Sequence, residues 1–148
     1  MKTKMLLVLA FLLISLPVFA AEKLSVSECA QDQTRTTMFT QMAGANITVG
    51  PGEIVSILFS GNFSAYNNSS ARRYIGGTVR LMRDGVIVDE AQMFASALAQ
   101  NPIVQPLYLH AFEVPHIGSH QYSIHWNTVE SDKTWFSVNC RSLTAIIQ

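Results

Sequence analysis

Charge is scarce in this chain: Asp, Glu, Lys and Arg make up 14% of its 148 residues, with ten bases against ten acids. Without an excess of cations there is no basic surface of the kind that holds nucleic acid, so a nucleic-acid partner is excluded. Cysteine is rarer still. Cys29 and Cys140 are the whole complement, and their wide separation excludes a redox pair of the Cys-x-x-Cys kind. No Gly-x-Ser-x-Gly elbow is present to mark a hydrolase nucleophile. Internal repeats and low-complexity blocks are absent as well. Beyond residue 20 no apolar run approaches the roughly 18 residues a spanning helix needs, so no membrane span is expected after the leader.

The leader itself is well marked. Lys2 and Lys4 precede an apolar run from Met5 to Ile14, and Val18-Phe19-Ala20 forms a small-residue cleavage site, the pattern of an export signal over residues 1–20. It accounts for much of the positive mean hydropathy of +0.23. Removing it takes away two bases and no acid, which leaves residues 21–148 mildly acidic and of a size for one domain. An exported chain meets an oxidising compartment, periplasmic, extracellular or at the cell surface, where two thiols pair. A Cys29–Cys140 disulfide is therefore expected. Closing a loop of nearly the whole domain, it would contribute about 4 to 5 kcal/mol on the chain-entropy account, and it would bring the N-terminal segment beside the last strand. Asn46, Asn62, Asn67 and Asn68 each open an Asn-x-Ser/Thr triplet. These are glycan acceptors in a eukaryotic secretory pathway and carry no such meaning in a bacterium, which the short signal fits better.

Strand signals dominate the rest. Ile54 to Phe59 is a β-branched and aromatic run between Gly50-Pro51-Gly52 and Gly61-Asn62, apolar on both faces and so placed centrally. Thr78 to Met82 alternates, Arg83-Asp84-Gly85 turns, and Val86-Ile87-Val88 returns, the clearest hairpin in the chain. From Leu107 to Val114 one face carries Tyr108, His110, Phe112 and Val114, and the other Leu107, Leu109 and Ala111. Pro115 to Gly118 turns the chain into a strand with His120, Tyr122, Ile124 and Trp126 on one face and Gln121, Ser123 and His125 on the other. The final run, Trp135 to Ile147, changes phase between Phe136, Val138, Cys140 and Leu143, Ala145, Ile147; a β-bulge near Arg141-Ser142 reconciles the two. Residues 37–49 read as one or two strands interrupted at Ala43-Gly44-Ala45-Asn46. Asp89 to Asn101 carries Met93, Phe94, Ala97 and Leu98 at helical spacing and reads as irregular or as one short helix. Six to eight short strands with no βα unit define an all-β fold, an antiparallel β-sandwich. Tying its ends together suits a jelly roll better than an immunoglobulin-type domain, whose cysteines lie closer in sequence.

The succession "FSGNF", "VRLMRDGVIV", "PLYLHAFEVPHIGSHQYSIHW" and "RSLTAIIQ" resembles small jelly-roll modules of phage tail fibres and bacterial surface proteins, related in shape to complement and tumour-necrosis-factor-like heads. The resemblance covers most of residues 47–147. It implies a binding or assembly module, often trimeric, and transfers no functional residue, because those modules share a framework and not a site.

Chemistry is sought first among His110, His116, His120 and His125, crowded into a short stretch. Imidazoles bind transition metals, and cupin-type jelly rolls hold metals in their barrels. Alternation sends His120 and His125 to opposite faces, and the cupin spacing of two histidines one residue apart followed by a glutamate is missing. Ordinary strand and loop histidines are the simpler reading. Glu113, between Phe112 and Val114, is the acid nearest to core-like neighbours; a carboxylate on the solvent side of a strand explains it more simply than a glycosidase acid. Trp135 reads as a cap on the core end. Residues 62–77 read as a long polar loop in which Tyr66, Arg72, Arg73 and Tyr74 offer aromatic faces and guanidinium forks to a protein or carbohydrate.

The function expected from these residues is an exported, non-catalytic binding or assembly module without cofactor, of surface, adhesin-like or fibre-head type, with homo-oligomerisation among its modes. A cupin-type metal-dependent enzyme using the four histidines is the alternative. A secreted or periplasmic inhibitor or accessory subunit, engaging a protein by an edge strand or loop, is a third.

Overall fold

The computed structural model describes residues 22–98, 101–130 and 133–148; the expected export signal lies outside them. Their elements are all strands: β1 (Glu22–Glu28), β2 (Asp32–Thr34), β3 (Thr40–Val49), β4 (Val55–Asn67), β5 (Arg73–Arg83), β6 (Val86–Ala97), β7 (Ile103–Glu113), β8 (Gly118–Thr128) and β9 (Thr134–Ile147). Two antiparallel sheets result. In the first, β4 lies between β9 and β7, while β1 and β2 pair with successive halves of β9 on its other side. The second runs β3-β8-β5-β6. With β1 and β2 counted as one interrupted strand, these orders make a jelly roll. No helix of the described residues is long and apolar enough to cross a membrane.

Alternation explains the layering. In β4, Val55, Ile57, Phe59, Phe63 and Ala65 are buried and face the second sheet, where Val79, Leu81, Tyr122, Ile124 and Trp126 meet them. Phe63 stacks on Phe136 at 5.0 Å and meets Trp126 edge-on at 6.3 Å, geometries that aromatic quadrupoles favour. Two adjacent glycines permit close approach here, Gly76 to β6 within the second sheet and Gly77 to β9 across the sandwich. A Cβ at Gly76 would collide with the Met93 carbonyl, and one at Gly77 with the Phe136 ring; Gly76 also sits at φ 133°, where an L side chain is strained.

Cys29 and Cys140, 111 positions apart, are joined by the expected disulfide. It stands where β1 gives way to β2 and where β9 carries its bulge. The bulge lies opposite Asn62, between Arg141, which pairs with Gly61, and Val138, which pairs with Phe63. The extra residue is therefore among Asn139 and Cys140, slightly before the expected Arg141-Ser142. Arg141, its side chain only 11% exposed, spans the strand break with Nη2 donating to Glu28 Oε2 at 2.6 Å and Nη1 to Asp32 Oδ2 at 3.1 Å.

Four expectations need correcting. Residues 62–77 are not a long loop: β4 runs on to Asn67 and β5 starts at Arg73. Asn67, buried, organises the short connection, its Nδ2 donating to the carbonyls of Ala71 (2.8 Å) and Ala97 (2.9 Å) and its Oδ1 accepting from Ser69 N–H (2.8 Å). Asn67 and Ser69 there satisfy backbone groups, while Asn68, Ser70 and Arg72 meet solvent. Residues 89–97 are strand, because pairing with β5 along its length overrides the accidental helical spacing; Met93 and Ala97 face the core, while Phe94 turns away and stacks on Tyr74 at 5.6 Å. Residues 99–100 of that stretch lie outside the described residues. The segment 43–46 does not interrupt β3, which passes through it with a register shift between Gln41 and Ala43. Glu113 shares its phase with the buried Leu107, Leu109 and Ala111. Its carboxylate accepts from Arg83 Nη1 at 2.8 Å and Tyr122 Oη at 3.0 Å, tying the sheets together at one end of the sandwich. Burial and the neighbouring carboxylate push the Tyr122 phenol well above its usual range.

Candidate functional site

Outward-facing residues of the first sheet fall into rows set by register. Ser27 of β1 lies opposite Ser142 of β9, Ser142 opposite Ser60 of β4, and Ser60 opposite Tyr108 of β7. The next row is Ser25, Thr144, Leu58 and His110, and the one beyond is Lys23, Ile146, Ser56 and Phe112. Small hydroxyl side chains across three strands lower the surface, and the bulge next to Gly61 deepens it. A trough of about 310 Å³ results, floored by Ser27, Ser60, Gly61 and Ser142, walled by Pro106 and Tyr108, and closed at the far side by the disulfide. Tyr108 is 63% exposed. Asn62 adds an amide at the rim and Arg141 a guanidinium whose charge Glu28 and Asp32 already balance.

Such a floor donates and accepts hydrogen bonds at strand spacing of about 4.8 Å, beside an open phenol ring. Nothing on it is acidic. In the adjoining rows Ser25 Oγ and Thr144 Oγ1 are 3.1 Å apart, and His110 Nε2 is 3.4 Å from Ser56 Oγ. The Asp89 carboxylate beside this serine–histidine pair accepts the backbone N–H groups of His110 and Glu90, each at 2.8 Å.

The four residues singled out from sequence are distributed over both sheets. Tyr66 projects from the outer face of the first, stacked at 5.1 Å on Trp135, over whose other side Arg35 lies at 5.2 Å. Trp135 is thus part of an outer stack and does not cap the core. Arg72 is exposed in the β4–β5 connection, Arg73 pairs with Glu130 at 3.4 Å, and Tyr74 is 52% exposed on the second sheet beside Phe94. One turn does not gather them, because Tyr66 and Tyr74 belong to different layers.

The histidines are dispersed as well. His110 stands on the outer face of the first sheet. His120 binds the β5–β6 turn, with Nδ1 2.7 Å from Asp84 Oδ2 and Nε2 2.7 Å from the His116 carbonyl, and these contacts raise its pKa. His125 lies on the outer face of the second sheet against Ser123 at 3.1 Å, and burial lowers its pKa. Among the described residues no three His, Cys, Asp or Glu side chains stand close enough to hold a metal ion.

Ser27, Ser60, Ser142 and Tyr108 were not singled out from sequence. The exposed phase of Tyr108 was legible, whereas isolated serines give no signal until register aligns them.

No protein-family model matches the chain, and no curated protein does. Solved structures align with it only distantly. Dimeric latent PorU from Porphyromonas gingivalis aligns at a TM-score of 0.49 and 9% identity, over 85% of this chain and 12% of that one. The VP2 subviral particle of infectious bursal disease virus gives 0.44 and 11%, over 86% and 36%. The C-terminal domain of EclA, described as a sugar-binding protein, gives 0.41 and 10%, over 88% and 84%. The chain thus spans a small part of the first two, and no residue or activity carries over at such distances.

Proposed function

We propose that the protein is an exported, non-catalytic binding module that recognises uncharged glycan through the trough on the outer face of its first sheet. One observation carries the reading: the row Ser27, Ser142, Ser60 and Tyr108, three aligned hydroxyls ending at an exposed ring. Sugars present hydroxyls along their edges and apolar C–H groups on their faces, so a hydroxyl floor beside an aromatic wall complements both. The leader and the disulfide support a location outside the cytoplasm. A protein partner fits the floor less well, because serine is depleted where proteins bury surface against each other.

Calorimetric titration of residues 21–148 with cellobiose, chitobiose, maltose and lactose tests it. At least one disaccharide is expected to bind, and Tyr108→Ala to weaken it at least tenfold with an unchanged melting curve. A wild-type protein that binds none of the four, or a Tyr108→Ala variant that binds equally well, overturns the reading.

A further inference from the structure

Beyond the trough, β7 carries a second exposed ring. Phe112, 65% exposed, is four residues from Tyr108 on the same outward phase, which places the two rings about 13 Å apart at about 3.3 Å per residue. Between them stand His110 and, from β4, Leu58, 48% exposed. Polar groups continue beside this line, with Thr144 and Ser25 in the row of His110 and Ser56 in the row of Phe112. The row of Phe112 thus repeats part of the trough's pattern further down the same strand, an exposed ring on β7 beside a hydroxyl, Ser56, on β4, with Ile146 of β9 and Lys23 of β1 beyond it.

Two occupants compete for an apolar line on an edge strand, a second copy of the chain and an extended ligand. Strand addition by a second copy is obstructed. The backbone N–H of His110 points away from β4 and is taken by Asp89. In an antiparallel strand the even-numbered residues share that direction, and among them Pro106 has no N–H at all. Both are devices that blunt an edge. Face-to-face docking would cover Tyr108, Phe112 and Leu58 but would also bury Ser25, Ser56, Ser60, Ser142 and Thr144, and serine is depleted where proteins bury surface against each other. An extended sugar chain uses both rings and hydroxyls.

Building on the proposed function, we infer that the ligand is a linear oligosaccharide lying along β7, with Tyr108 and Phe112 each stacking on a separate sugar ring. The site is then a line of subsites rather than a pocket for one terminal sugar. Longer ligands should gain affinity only while Phe112 has a ring to offer.

Titration with cello- and chito-oligosaccharides of two to six units tests this, alongside light scattering of each protein. Expected for the wild type is a gain of tenfold or more between disaccharide and hexasaccharide in the series that binds. Phe112→Ala should remove that gain and spare disaccharide affinity, Phe112→Tyr should restore it, and melting curves should stay unchanged because the ring is exposed. Affinity independent of length, or a gain that survives Phe112→Ala, overturns the extended site and leaves the single trough standing. Binding of no saccharide at all removes both readings. A wild-type oligomer that Phe112→Ala converts to a monomer assigns the face to a second copy and overturns the inference.

Discussion

Asn67 shows how much one side chain decides. Both of its amide hydrogens are donated to main-chain carbonyls and its oxygen takes a main-chain N–H, so a buried turn with no regular ladder has its polar groups paired. Replacing it by Ala leaves those partners orphaned and is expected to cost about 3 kcal/mol, read as a lower urea midpoint at unchanged slope. A midpoint within error of wild type would mean that water serves the turn equally well. The same contacts leave the amide nitrogen no hydrogen to spare, so of the Asn-x-Ser/Thr triplets Asn67 cannot carry a glycan in the folded protein, whereas Asn46, Asn62 and Asn68 are exposed. Tyr122 and Glu113 illustrate the related case of a polar group admitted to the sandwich end because each finds a partner there.

Among the elements, β1 depends most on its attachments. All seven of its residues are exposed, so little apolar burial holds it, and β9 pairing, the disulfide and the Arg141 fork must do so. Replacing Cys29 and Cys140 by Ser is expected to lower stability by about 3 to 5 kcal/mol, with β1 amides losing hydrogen-exchange protection before those of β4 or β8. Uniform loss of protection would show that the bridge acts on the whole domain and not on β1. The β5–β6 turn is legible in the chain itself: Asp84 and Gly85 occupy φ 50° and 84°, conformations that Asp tolerates and Gly favours, and the two-residue hairpin follows. The β4–β5 connection had no such legibility. Its Asn, Ser and Arg residues read as solvent-seeking until the positions of Ala71 and Ala97 show what Asn67 is bonding to.

At the scale of the whole molecule, pH acts through histidines that pull in opposite directions. Both ring nitrogens of His120 face acceptors, which the imidazolium alone can satisfy together. Its raised pKa means that this stabilisation is complete below the usual value of 6.5 and is lost as pH rises through the higher folded value. Asp84, held below its usual 3.8 by His120, contributes fully above that value and loses its contribution as pH falls through the lower folded one. The contact is therefore strongest between about pH 4 and 6.5. His125, lowered by burial, favours the folded state above 6.5 and opposes it on acidification. The informative quantity is the difference in melting temperature between wild type and His120→Gln, expected to be largest near pH 5.5 and to shrink by pH 8.5; a difference independent of pH would show that protonation of His120 is not coupled to folding. What the chain determined by itself was its class, the strands around Ile54–Phe59, the Asp84-Gly85 hairpin, the runs 107–112, 120–126 and 135–147 with most of their inner phases, and the pairing of two cysteines, because alternation, turn chemistry and a count of two are local properties. Strand order, the inward turn of Glu113, the dispersal of the histidines and of Tyr66, Arg72, Arg73 and Tyr74, and the row from Ser27 to Tyr108 were decided by the tertiary structure alone. Each depends on register between strands far apart in the chain, and register is settled by the burial of a whole face at once.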